Sequence, residues 1–222
     1  MDQAVSSKAY RGLGMEGFTA RWYATQTGKS LDEFKALARR VNDEAGPQAR
    51  VLEVAPGPGY FAIELAKLGS HRVAGLDISR TFVDIAQRNA AEAHVEVDFR
   101  QGNAADMPFE DGSFDFLLCR AAFKNFTEPV RALQEMHRVL RKGGQALVID
   151  LRRDASRESI AKAVDGMNLN AVNSVITRLT FRFMLLKRAY TRAEFEGFVA
   201  RTGFGRAEIR EDLIGMEVSM EK

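Results

Sequence analysis

Residues 49–68, ARVLEVAPGPGYFAIELAKL, constrain the chain more than any other stretch. Val51, Leu52 and Val54 make a short apolar run with one acid, Glu53, inside it. Ala55-Pro56-Gly57-Pro58-Gly59 interrupts the run, and Phe61, Ile63, Leu65, Ala66 and Leu68 then return at helical spacing. The pattern predicts a strand, a tight loop and a helix. The glycines let the backbone bend sharply and leave no side chain where a ligand would lie. The first amides of the helix have no intrahelical partner and face the loop. Pro58 donates nothing, so Gly57, Gly59 and Tyr60 are the expected amide donors. A lone Gly-x-Gly is equally well an ordinary strand-to-helix turn. The weight therefore rests on the residues set at fixed distances beyond the loop.

The length of 222 residues suits one domain with a full core. Charges of 32 and 30 leave a net +2, which does not indicate a nucleic-acid partner. One cysteine, Cys119, excludes an intrachain disulfide, and three scattered histidines make no metal cluster of usual spacing. Neither a signal-peptide core nor a run long enough to span a bilayer is present. The expectation is a cytoplasmic monomer or homodimer without metal or stable membrane insertion.

Before the glycine loop, residues 15–24 predict a short helix, with Phe18, Trp22 and Tyr23 either pinning it to the core or roofing a ligand site. Ser30 and Glu33 have the spacing of a capping box for a helix over 31–42, ended by Gly46-Pro47. After the loop, residues 71–78 predict a second strand ending in Asp77, and Ser79 can cap a helix to about residue 93. Asp77 lies 20 residues beyond Gly57, which places a carboxylate at the tip of the neighbouring parallel strand, able to accept from both hydroxyls of a ribose.

Residues 95–100 predict a third strand, 102–115 a loop, 116–119 a fourth strand, 127–140 a helix stopped by Lys142-Gly143-Gly144, and 146–151 a fifth strand. Alternating strands and helices argue for a parallel sheet covered on both faces. Val172, Val175, Ile176, Leu179, Phe183 and Leu186 then recur at helical spacing within an insertion over 152–190. The insertion reads as an amphipathic cover for the core, or as a substrate-facing cap with Phe181, Phe183 and Met184 near an apolar acceptor. A helix over 191–202, boxed by Thr191 and Glu194, and two strands over 206–213 and 216–220 complete the chain.

Taken together, these motifs resemble the class I S-adenosylmethionine-dependent methyltransferases over roughly residues 47–151. VLEVAPGPG resembles the family's first motif, LDIS its ribose-binding acid and GNAADMPFEDGSFD its adenine loop. The run AFKNFTE at residues 122–128 is most similar to the quinone-biosynthesis C-methyltransferases. The resemblance implies an α/β, Rossmann-like three-layer sandwich: a mostly parallel seven-stranded sheet in the order 3-2-1-4-5-7-6, with an antiparallel last strand. It implies one methyltransferase domain over 1–222, with residues 1–46 as an N-terminal helical lid and 152–190 as a helical cap. Two positions depart from the pattern: Ala55 stands where the family has glycine, and Asn103 where an acid is common.

The resemblance further implies S-adenosyl-L-methionine as cofactor and S-adenosyl-L-homocysteine as product. It puts Ala55, Gly57 and Gly59 against the cofactor's amino-acid end, Glu53 behind the loop, Asp77 on the ribose and Ile78 against the adenine. Asn103 and Ala104 would read the adenine edge, Arg120 would meet the methionyl carboxylate, and Tyr23 or Trp22 would face the sulfonium. Phe18, Trp22, Phe123, Asn125 and Phe183 are candidate contacts for a small-molecule acceptor. No general base stands out, which favours an acceptor that is already nucleophilic or readily ionised. Two other readings remain: a nicotinamide-dependent oxidoreductase, since GPGYFA also fits G-x-G-x-x-A, and a binding module without turnover.

Overall fold

The first strand, β1 (Arg50–Val54), is buried on both faces because its side chains alternate between two cores. Leu52 and Val54 point to one side with Leu117, Leu133 and Phe195, while Val51 points to the other with Phe61, Leu65 and Phe116. This is a computed structural model, and it describes residues 10–11, 15–28, 31–167 and 170–222.

The remaining strands are β2 (Arg72–Asp77), β3 (Asp98–Gln101), β4 (Phe114–Arg120), β5 (Leu140–Leu151), β6 (Arg206–Glu211) and β7 (Gly215–Glu221). They form one sheet in the order β3-β2-β1-β4-β5-β7-β6. The first five are parallel, and β7 runs antiparallel between β5 and β6. The expected order and the antiparallel last strand are both observed. The helices are α1 (Gly17–Thr27), α2 (Leu31–Ala45), α3 (Tyr60–Ala66), α4 (Arg80–Glu92), α5 (Pro129–Val139), α6 (Arg157–Asp165), α7 (Ala171–Thr180) and α8 (Arg192–Val199). Strand order reverses between β1 and β4, so a crevice opens at their carboxyl ends.

Several boundaries differ from expectation for identifiable reasons. α2 continues to Ala45 and stops where Gly46 takes φ +77°. The capping residue expected for it, Ser30, lies outside the described residues. β5 begins at Leu140, before the glycines expected to end the preceding helix. A Cβ on Gly144 would sit 2.9 Å from the Arg141 carbonyl oxygen, so glycine there lets the strand pass close to its own backbone. The box on α8 forms as expected: Thr191 accepts from the Glu194 amide, and the Glu194 carboxylate accepts from the Thr191 amide.

The insertion departs most from expectation. Beyond α6 and α7 it contains one π-helical turn (Phe181–Leu185) and a 3-10 turn (Leu186–Arg188). Ile160, Val164 and Leu186 make a small separate cluster, but Val175, Ile176 and Leu179 are exposed. The α7 stripe therefore does not cover the core. The side chain of Val172 lies outside the described part.

Candidate active site

The crevice is built by the loops after β1, β2 and β4. Gly57 takes φ +55°, and a Cβ added there meets nothing within 4 Å, so the position opens onto free space. Gly59 takes φ +80° for a different reason: a Cβ there would lie 2.6 Å from Phe99 Cζ and 2.9 Å from Ala86 Cβ. The first glycine leaves room at the crevice, and the second lets α3 pack on α4 and β3. Ala55 has φ +59°, a left-handed conformation costing about 1–2 kcal/mol for a residue with a Cβ.

The loop amides are less available than expected. Gly57 donates to Asp77 Oδ2 at 2.9 Å, and Gly59 donates to the Pro56 carbonyl at 3.1 Å. Asp77 also accepts from the Ser79 amide through Oδ1 at 2.9 Å, while Ser79 caps α4 by accepting from Phe82 N at 3.1 Å. Each Asp77 oxygen thus keeps a further lone pair. Burial pushes the Asp77 carboxyl up to about 6 against the lowering effect of these amides. Glu53 accepts from the Ala62 amide at 3.1 Å, tying β1 to the first turn of α3. Its full burial pushes it up to about 8.

The β4 side of the crevice carries a second constellation. Ala121 turns the chain with φ +57°, and Lys124 comes back inside, 7% exposed. Its ammonium donates to Asp150 Oδ1 at 2.8 Å and to the Ala121 carbonyl at 2.6 Å, and its amide donates to Asp150 Oδ2 at 2.9 Å. This ion pair welds the loop after β4 to the tip of β5. The sequence carried a signal for it, since Asp150 stands one residue before the end of an apolar strand, much as Asp77 ends one.

Two sets of contacts tie described parts of the N-terminal segment to the loops after β4 and β2. The Arg11 amide donates to the Asn125 carbonyl at 2.8 Å, and Tyr10 bridges to Phe126. On the other side Glu16 accepts from the Arg80 and Thr81 amides, each at 3.1 Å, and the Met15 carbonyl accepts from the Ser79 hydroxyl at 2.5 Å. Tyr23 packs edge-on against Phe82, with ring centroids 5.9 Å apart. Tyr10 and Tyr23 interact electrostatically with each other and with Asp77 and Asp150. Burial raises both phenols above their ordinary values. Neither Tyr10 nor Glu16 stood out in the sequence.

The other expected site residues separate. Ile78 is half-buried beside Asp77, and Ala104 packs against the core edge. The Asn103 oxygen accepts from the Ala105 amide at 2.9 Å, so it holds its own loop. Arg120 lies 4.7 Å over the Phe34 ring and donates to Glu33 Oε2 at 2.9 Å. Phe123 is a core residue, 1% exposed, with ring centroids 4.9 Å from Phe195 and 5.3 Å from Phe126. Asn125 is buried at the tether to Arg11. Phe18 and Trp22 are 79% and 56% exposed, so they do not pin α1 to the core. Ala20 and Ala24 do the pinning. Phe183 is 48% exposed on the cap, with Arg182 and Lys187 beside its ring.

Comparison with known proteins agrees with this geometry. Residues 52–148 match the family described as a methyltransferase domain. A demethylmenaquinone methyltransferase of Deinococcus radiodurans is 36% identical over 48% of this chain and 45% of its own length. One from Chlorobaculum tepidum is 28% identical over 78% of this chain and 72% of its own. The chain thus spans less than half of the first relative and nearly three quarters of the second. A Methanococcus maripaludis crystal structure, provisionally described as an S-adenosyl-L-methionine-dependent methyltransferase, superposes with a TM-score of 0.72 at 20% identity, covering 95% of each chain. At that identity the superposition shows the fold alone.

Proposed function

We propose that the class I methyltransferase domain carried by this chain transfers a methyl group from S-adenosyl-L-methionine to a small-molecule acceptor. The observation that carries the reading is the open space at Gly57 directly above the buried, only partly satisfied Asp77. The residues fit the cofactor's polarity. Asp77 retains acceptor capacity for two ribose hydroxyls, and the half-buried Ile78 beside it offers an apolar face to the adenine. Bound there, the cofactor supplies an electrophilic sulfonium methyl, and the driving force of the reaction resides in it.

The chain's own task is then alignment and exclusion of water. Glu53 fixes the angle between β1 and α3, and Lys124 with Asp150 fixes the opposite wall. Tyr10 and Tyr23 close the opening as neutral phenols near pH 7, placed to donate hydrogen bonds and present ring faces to a cation. Arg120 reaches a carboxylate of the cofactor by giving up the exposed partner Glu33, an exchange of one surface ion pair for another. Buried Cys119, raised well above its ordinary value, is no nucleophile. Such a site suits an acceptor that is already nucleophilic or readily ionised, such as a phenol, an enol carbon, an amine or a thiol. The names of the relatives favour a quinone precursor. Residues 1–46 serve as lid and 152–190 as cap of one domain.

Nothing in the comparisons favours the nicotinamide alternative. Titration of the pure protein with S-adenosylhomocysteine and with NADH tests the binding half of the proposal. Incubation with methyl-labelled donor and a metabolite extract tests turnover. Saturable binding of S-adenosylhomocysteine and a labelled small molecule are expected. Binding of NADH alone would overturn the reading, and binding without any labelled product would leave a module that holds the cofactor and does not turn over.

A further inference from the structure

Six of the eleven large apolar side chains exposed among the described residues fall between Met167 and Met184. Val175, Ile176, Leu179 and Phe183 have the i, i+1, i+4, i+8 spacing of a single helical stripe, at 48–56% exposure. This stripe covers none of the core. We propose that it is a docking surface by which the protein lies on an anionic lipid bilayer.

Charge selects this occupant. Residues 171–190 contain Arg178, Arg182, Lys187 and Arg188 and no acid, so this segment carries +4 and the rest of a +2 chain carries −2. Arg178 pairs with Asp165, but among the described residues no acid pairs with Arg182, Lys187 or Arg188. Arg182 and Lys187 sit 4.8 and 5.8 Å from the centre of the Phe183 ring, so cations flank an exposed aromatic. Exposed apolar residues edged by lysine and arginine are what an interfacial helix presents to acyl chains and anionic headgroups. A second copy fits poorly, because a two-fold contact through this face would set the three acid-free cations Arg182, Lys187 and Arg188 against the same three. No helix among the described residues is long and apolar enough to cross a membrane, so docking is at the surface. The cap ends against the N-terminal segment, since the Arg11 guanidinium donates to the Tyr190 hydroxyl at 3.3 Å. The proposal does not rest on methyl transfer.

The test is sedimentation of the full chain with phosphatidylcholine vesicles, with and without phosphatidylglycerol, at low and high salt. Binding is expected only with phosphatidylglycerol, falling as salt rises. Arg182→Ala with Lys187→Ala should weaken it about 25-fold, at about fivefold per charge. Ile176→Asp with Leu179→Asp should abolish it, with thermal midpoints unchanged because these side chains are exposed. Three outcomes would overturn the proposal: no binding to phosphatidylglycerol vesicles, equal binding by both double variants, or a concentration-dependent dimer that the same substitutions dissolve.

Discussion

Asp77→Asn separates the two tasks assigned to one carboxylate. In the free protein its oxygens each take one backbone amide at 2.9 Å, from Gly57 and from Ser79. An asparagine keeps one acceptor oxygen and puts an NH2 donor against the other amide. Leaving that amide unsatisfied should cost about 1–3 kcal/mol of stability. The lost charged acceptor for the ribose should cost about 1.5–3 kcal/mol of binding, an affinity for S-adenosylhomocysteine lower by roughly ten- to a hundredfold. A pH series adds an independent check. Burial holds the free Asp77 carboxyl at about 6, and hydroxyl donors favour its ionised form, so binding releases a proton below that value. Wild-type affinity should fall about tenfold from pH 7 to pH 5, and the variant should lose this dependence. Calorimetric titration at each pH, beside urea unfolding of the free protein, reads both quantities. If stability falls while affinity and its pH profile stay put, Asp77 only ties the loop and the ribose reasoning is refuted.

Gly57→Ala puts a methyl into open space at φ +55°, and should cost about 1 kcal/mol of stability yet abolish cofactor binding. Gly59→Ala drives a methyl into Phe99 and Ala86 and should behave in reverse, with a lower thermal midpoint and near-normal affinity in whatever remains folded. The Glu53 carboxyl is raised to about 8, so the stability it contributes is full below its ordinary value and is lost as pH rises through 8. Glu53→Gln keeps the acceptor for the Ala62 amide and should flatten that alkaline loss in urea unfolding measured from pH 6 to pH 9. Lys124→Met strands the buried Asp150 carboxylate and should destabilise by about 3–5 kcal/mol, whereas adding Asp150→Leu should restore part of that loss in a double-mutant cycle.

Local chemistry determined the scaffold of this protein before any tertiary contact was known. The apolar run, the glycines and the renewed helical spacing over residues 49–68 gave β1, its loop and α3. Asp77 and Ser79 ended β2 and began α4 as their side chains required. These features are visible in sequence because period, capping and φ preference act over a few residues. What the side chains do at the crevice was decided by residues far away in the chain. Gly59 is glycine because Phe99 lies against it, Arg120 turns to Glu33, Lys124 finds Asp150, and Tyr10 reaches the loop at Phe126. The cap shows the same division. Its periodicity announced an apolar stripe, but whether a stripe faces core or solvent depends on what the rest of the fold sets opposite it, and here that face is left open.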